Sequence, residues 1–301
     1  MEIRFIAHDA IDKTRWDSCI HYSLNGNVFG YKWFLDNISK DWDALVEGNY
    51  ESVMPLFRRG RALLQPALIR EAGIYTTRVP SRPRIQAFLR AIPDHFEALR
   101  LDLNHQNYLD PDTGFEIVTQ TNYQLLLNRP YDELAANFHP ELTEWLECAA
   151  RQNFSSTTSL RPEDVARFYE KHGTRPRDPH AILRIMYNAL HRGMGFASGI
   201  YDAKGNLAAA DFFLLSHGRL ISFLPAQTIA GEKTGALAFA YNMILLTNAG
   251  KAAMLDFNGA NEWGKRFGAE PKNFPRIQRG RIPEDLPPAG GWRKIWPFNN
   301  K

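Results

Sequence analysis

Signals for strands and helices follow the same order in both halves of the chain, and no other feature limits the fold as tightly. The first half opens on EIRFIA, a strand. Apolar residues at helical spacing then predict helices over about 12–23, with Trp16, Cys19 and Ile20 on one face, and about 30–39, with Trp33, Phe34 and Ile38. WDALVE and YESVMPLF flank Gly48-Asn49 as a hairpin, and Leu63 to Leu68 adds a strand. A helix near 82–91 leads into the strand FEALRLDL. FEIVTQ and YQLLL, parted by Thr121-Asn122, read as a further hairpin. The second half repeats the order: SSTTSL; the helices RPEDVARFYEKHG and PHAILRIMYNALHRG; the strands FASGIY, NLAAADFFLL and RLISFL; a helix over about 233–249; and AAMLDF. A short helix near 261–267 and a strand at about 273–278 complete it. Each half therefore runs β-α-α-β-β-β-α-β, the pattern expected when one fold has been duplicated.

The expected organisation is an N-terminal lobe over 1–128, a helical linker over 129–154 interrupted at Pro140, and a C-terminal lobe over 155–301. Each lobe is expected to be a mixed, mostly antiparallel sheet flanked by helices, an α/β (α+β) architecture. The tail, rich in Pro, Gly and Trp, reads as an ordered wrap or a loose end. A chain of 301 residues is long enough for two cores. Its charge is uneven: residues 1–150 carry 15 basic and 21 acidic side chains, and 151–301 carry 21 and 12. The basic half is where a phosphate-bearing ligand is expected. Cys19 and Cys148, with no CxxC spacing, suit a reducing, cytoplasmic setting. The N-terminus has no apolar run of signal-peptide length. The uncharged stretch between Lys233 and Lys251 contains Thr234, Tyr241, Asn242, Thr247 and Asn248, so it reads as a buried helix and no membrane association is expected.

Several local patterns narrow the fold further. Asn25-Gly26 precedes Phe29, Tyr31 and Trp33, and Trp42–Val46 is followed by Tyr50, Val53, Met54 and Pro55. Ile92, Pro93 and Phe96 lead to Leu101, Leu103, Asn104 and Asn107. Leu255-Asp256-Phe257 and Gly259 precede Phe267-Gly268-Ala269. In order and spacing this set resembles tandem-lobed, Fem-like proteins of the GNAT acyltransferase superfamily, over nearly the whole chain. Fem proteins transfer amino acids from aminoacyl-tRNA to peptidoglycan precursors, and GNAT enzymes transfer acyl groups from acyl-CoA. The resemblance implies acyl-CoA as co-substrate, or a tRNA contact, and a small-molecule or peptide amine as acceptor.

It also implies where a donor lies. GNAT proteins hold the pantetheine arm along a splayed strand and the pyrophosphate at the start of the next helix, where unpaired N–H groups favour an anion. The matching residues here are Phe223, Leu224, Gly231, Lys233, Thr234, Gly235 and Ala236. The family's glycine pattern is altered: Ala230 stands where its first glycine belongs, and Glu232 adds a negative charge. GNAT enzymes often place a tyrosine where this chain has Gly264, to protonate the leaving group. Asn258 stands where related sequences carry Glu, and the linker helix is acidic at Glu141, Glu144 and Glu147. Asp256 and Lys265 are left as the candidate catalytic carboxylate and cation.

The nine histidines show no i+3 or i+4 pairing, so no metal site is expected. Arg276, Arg279 and Arg281 form a basic run that could meet RNA or a CoA phosphate, or a solvated strand edge. Two functions follow. One is an N-acyltransferase moving an acyl group from acyl-CoA, or an aminoacyl group from tRNA, to an amine. The other is a catalytically degenerate binding protein that keeps the cleft.

Overall fold

The computed structural model describes residues 2–174 and 178–282; the Pro-, Gly- and Trp-rich tail lies outside the described residues. The chain folds into two compact units. The first runs through Val118 and resumes at Pro275, and the second is Thr119–Phe274. The boundaries fall at 118/119 and 274/275, where the sequence suggested 128/129 and 154/155.

In the first unit, strands β1 (Ile3–Ile6), β2 (Trp42–Glu47), β3 (Ser52–Arg59) and β4 (Ala62–Leu64) form an antiparallel meander. Helices α1 (Lys13–Tyr22) and α2 (Lys32–Ile38) come between β1 and β2. A short β5 (Tyr75–Thr76) pairs with β3. Helix α3 (Arg82–Arg90) then leads to β6 (Ala98–Asp102), parallel to β4. The last strand is the 276–279 end of β14 (Glu270–Arg279), antiparallel to β6.

The second unit has the same plan. Its first strand in the chain is β7 (Glu116–Leu126), which is continuous through Thr121-Asn122. The expected turn there does not form, because Asn122 points into the unit and bonds to Asp256 and Gly259. Helices α4 (Tyr131–Ala135) and α5 (Pro140–Ala150) follow, parted before Pro140 as its missing N–H requires. After β8 (Ser155–Thr157), helices α6 (Pro162–His172) and α7 (Pro179–His191) lead into β9 (Gly195–Tyr201), β10 (Leu207–Ser216), β11 (Arg219–Ser222) and a short β12 (Ala226–Gln227). Helices α8 (Ile229–Lys233) and α9 (Ala236–Asn248) precede β13 (Met254–Asp256), which is parallel to β11. Helix α10 (Glu262–Arg266) comes before β14. Strands β8 to β11 are antiparallel neighbours, and β7 closes the sheet beside β13.

Each unit is thus four antiparallel strands, a parallel fifth and an antiparallel sixth. The sixth strand of the first unit comes from the end of the chain, and that of the second from its middle. The core of the second unit gathers Leu125, Phe213, Tyr241, Leu255, Phe257 and Phe267. Among the described residues no helix is long and apolar enough to cross a membrane.

The asparagines of the first-half motifs serve the fold. Asn25, Asn104 and Asn107 are buried and converge on the backbone carbonyl of Ile74, each donating from its side-chain amide. They anchor the segment between β4 and β5, whose buried amides would otherwise lack partners.

Candidate active site

In open α/β sheets, ligands bind beyond the carboxyl ends of parallel strands. Each unit has one such pair, and the two differ at that point. In the first unit the gap is filled by the chain's own backbone. Gln65 N–H donates to Arg100, Ala72 N–H to Asp102, and Asn104 N–H to Ala72. Ala72 also forms a parallel bridge to Leu103.

In the second unit, β11 and β13 pair as far as Ile221 and Asp256. Residues 223–225 then face only 211–212 of β10, a bulge that turns the strand aside before it resumes as β12. Among the described residues, no backbone hydrogen bond joins 222–227 to the chain after Asp256. This is the splay at which the sequence reading located a donor.

The bulge is held by Asp211, which is fully buried on β10. Its carboxylate accepts from Leu224 N–H at 2.8 Å and from Ser222 Oγ at 2.6 Å. Ser222 in turn lies 2.9 Å from the Tyr241 hydroxyl on α9. Burial pushes the Asp211 carboxyl up to about 7, against which its hydrogen bonds act. Tyr241 is also raised, first by burial and then by Asp211.

The unfolded Asp211 titrates near 3.8, so between about pH 4 and pH 7 the folded state holds a proton that the unfolded state has lost. Stability then falls as pH rises through that window, by up to about 4 kcal/mol at 1.36 per unit. Asp211→Asn is expected to flatten this dependence and to stabilise the protein at pH 8 but not at pH 4. Urea unfolding across that range measures it; an unchanged slope would count against the assignment.

The seven candidate donor residues lie in the bulge, in α8 and at the start of α9, and most of their polar groups are engaged. Phe223 and Leu224 are buried in the bulge. Gly231 lies within α8, where its amide donates to Thr228 Oγ1 and its α-carbon abuts the Ala208 carbonyl. The Thr234 hydroxyl donates to Ala230. Gly235 caps α9 with φ of +75°, and a Cβ there would stand 2.7 Å from the Trp145 carbonyl oxygen of α5. Ala236 is buried, and the next amide, that of Leu237, donates to Gln227 Oε1. Lys233 is exposed.

The acidic linker helix therefore lies against the start of α9 and offers it a carbonyl where a pyrophosphate was expected. Gly235→Ala is expected to destabilise by about 1–3 kcal/mol, since it forces a left-handed alanine against backbone. A lowered urea midpoint without change of slope would show this.

Asp256 and Lys265 lie on opposite faces of the sheet. Asp256 is 1% exposed and accepts from Asn122 Nδ2, Gln124 Nε2 and Arg219 Nε, and from its own turn at Asn258 N–H. Alternation along β7 puts Asn122 and Gln124 on that face and Tyr123 and Leu125 on the other. Tyr123 packs so closely on Gly264 that a Cβ there would collide with it. Lys265, beside Gly264, is exposed and bonds Glu262 at 2.8 Å. Its pKa is raised by that partner first, with Tyr123 adding to the shift.

The resemblance implies a tyrosine at the place of Gly264, and the structure brings Tyr123 of β7 against that glycine, a contact the sequence does not show. The signal was the glycine, whose missing side chain makes the room. Nearby, Arg266 of α10 stacks 4.5 Å from the Trp145 ring and bonds Glu141, fixing α5 to α10. Two of the three arginines of the C-terminal run are engaged in the first unit: Arg276 with Asp102, and Arg279 with the Phe96 carbonyl.

No family model matches the sequence, and no curated protein does. Solved structures do match. FemX aligns with a TM-score of 0.64 at 12% identity, over 91% of this chain and 97% of that one. A lysylphosphatidylglycerol synthetase from Bacillus licheniformis gives 0.59 at 9% identity, over 89% and 92%. The C-terminal domain of such a putative enzyme from Agrobacterium fabrum gives 0.57 at 9%, over 89% and 91%. At these identities the likeness is one of fold: the chain is a mixed α/β protein whose fold is similar to those of FemX and the lysylphosphatidylglycerol synthetases.

Proposed function

We propose that the protein transfers an aminoacyl group carried on RNA to an amine, with the donor's acyl end at the mouth between β11 and β13. The observation that carries this reading is Tyr123 against Gly264, a phenol on the α9–α10 face of the splayed strands. The amine attacks the ester carbonyl, a C–N bond forms and the C–O bond breaks; the phenol gives its proton to the departing oxygen and recovers one from the nitrogen, which loses it in becoming an amide. The donor class is supported by Trp145, whose carbonyl stands at the helix start that a CoA pyrophosphate would use. The names of the similar structures, FemX and lysylphosphatidylglycerol synthetase, agree with aminoacyl transfer.

The test supplies bulk tRNA charged with labelled amino acids, and separately acetyl-CoA, together with a panel of peptide amines. Label is expected in peptide from the RNA donor, with no thiol released from acetyl-CoA. Thiol release would reverse the donor assignment.

A binding protein without chemistry is the second reading. The Asp211 carboxylate already occupies the bulge amide of Leu224, and Arg219 neutralises Asp256. Ligand-induced stabilisation with no transfer from either donor would favour it.

A further inference from the structure

A cleft of about 480 Å³ lies in the second unit, with neither Tyr123 nor Gly264 in its lining. One wall is α6, which contributes Arg167, Phe168, Lys171 and His172; the other includes Tyr201 at the end of β9 and Thr228, the N-cap of α8. Arg167, Lys171 and Phe168 share a helix face with Asp164, which also lines the cleft, because residues three, four and seven apart align. Asp164 does not cancel the positive charge. Its carboxylate is held by Arg161 at 2.9 Å, outside the cleft lining, as well as by Arg167 at 3.7 Å, and among the described residues no ion pair holds Lys171. Glu163, on the neighbouring face, is bonded by the Tyr187 hydroxyl of α7.

The lining thus divides into two parts. Arg167 and Lys171 are donors suited to a phosphate. Phe168, Tyr201 and the ring of His172, which packs 4.7 Å from Phe168, are flat surfaces suited to a base. The volume lies within the range of small-ligand sites.

We infer that this cleft binds a nucleotide, its phosphate on Arg167 and Lys171 and its base on the aromatic wall, and that in the reaction above the nucleotide belongs to the RNA of the donor. The second clause rests on the proposed function; the first does not. Placement supports the link. Thr228 directly follows β12, and its amide donates to Ala208 of β10. It stands four positions after Leu224 in the bulge, ~13 Å of extended chain. A donor with its acyl end at the bulge can therefore lay its nucleic acid towards α6 without using the start of α9.

Binding is measured with three probes: labelled tetra-adenylate RNA, AMP and inorganic phosphate. The proteins are the full chain, the Arg167→Glu/Lys171→Glu double variant and Phe168→Ala, each checked for an unchanged circular dichroism spectrum. The RNA is expected to bind. The double variant should bind it at least tenfold more weakly, with a salt slope lower by about 1.4, two single-strand contacts at about 0.7 each. Phe168→Ala should weaken RNA and AMP but not phosphate. AMP binding without RNA binding would keep the nucleotide site but remove it from the donor. Inorganic phosphate binding as tightly as AMP, or RNA binding unchanged in the double variant, would overturn the proposal. RNA bound here without aminoacyl transfer would leave the cleft standing and remove the function. Transfer unaffected by the double variant would leave the function standing and overturn the assignment of the cleft to the donor's RNA.

Discussion

Tyr123→Phe is expected to lower the transfer rate by about 10²–10⁴-fold while leaving the fold intact. The ring packs against Gly264 and, like Trp263, lies against the core that contains Leu125, so phenylalanine keeps those contacts. Only the hydroxyl is lost. If that proton serves the leaving oxygen, kcat falls and KM for the RNA donor stays within about twofold, because binding and chemistry draw on different groups. A structural role would lower the melting temperature, which the same preparations report. Gly264→Ala is the contrasting variant: its Cβ would collide with Tyr123, so activity and stability should fall together. A Tyr123→Phe protein with undiminished kcat would remove the phenol from the mechanism.

The order of elements was legible in the sequence because it rests on local signals. Pro162 opened α6, Pro140 parted the linker, and Gly205-Asn206 and His217-Gly218 gave the turns that the structure contains. Thr121-Asn122 misled because a buried asparagine in a strand resembles a turn until its partner is known, and Asp256 lies 134 residues away. The site suffered in the same way. Gly231 and Gly235 read as a phosphate loop, since sequence cannot tell a glycine that admits a ligand from one that admits another backbone. Ala208 and Trp145 supply that backbone here. Asp256 drew attention as a lone carboxylate at a strand end, and its partner Arg219 stands on a strand whose register no local pattern sets. Tyr123 was invisible for the same reason, as its relation to Gly264 exists only once β7 has docked.

Arg219→Ala is expected to destabilise the protein by about 3–5 kcal/mol, the usual consequence of removing one partner of a buried pair. The Asp256 side chain is 1% exposed and that of Arg219 10%. Arg219 Nε donates to Asp256 Oδ2 at 3.0 Å, and its Nη2 reaches the same oxygen. Asn122 and Gln124 donate to the carboxylate from β7, so Asp256 links three neighbouring strands, β11, β13 and β7. Without the guanidinium the carboxylate keeps these neutral donors but loses its cationic partner while staying buried. Asp256→Asn should cost less than Arg219→Ala at pH 7, because it removes the charge and keeps an acceptor for Arg219. The double variant Arg219→Met/Asp256→Leu should recover part of the loss, as apolar replacements of buried pairs often do. These comparisons separate structure from catalysis. If Asp256 serves the sheet alone, Asp256→Asn retains transfer activity in proportion to the folded fraction. Activity abolished in a fully folded Asp256→Asn protein would restore the carboxylate to the chemistry.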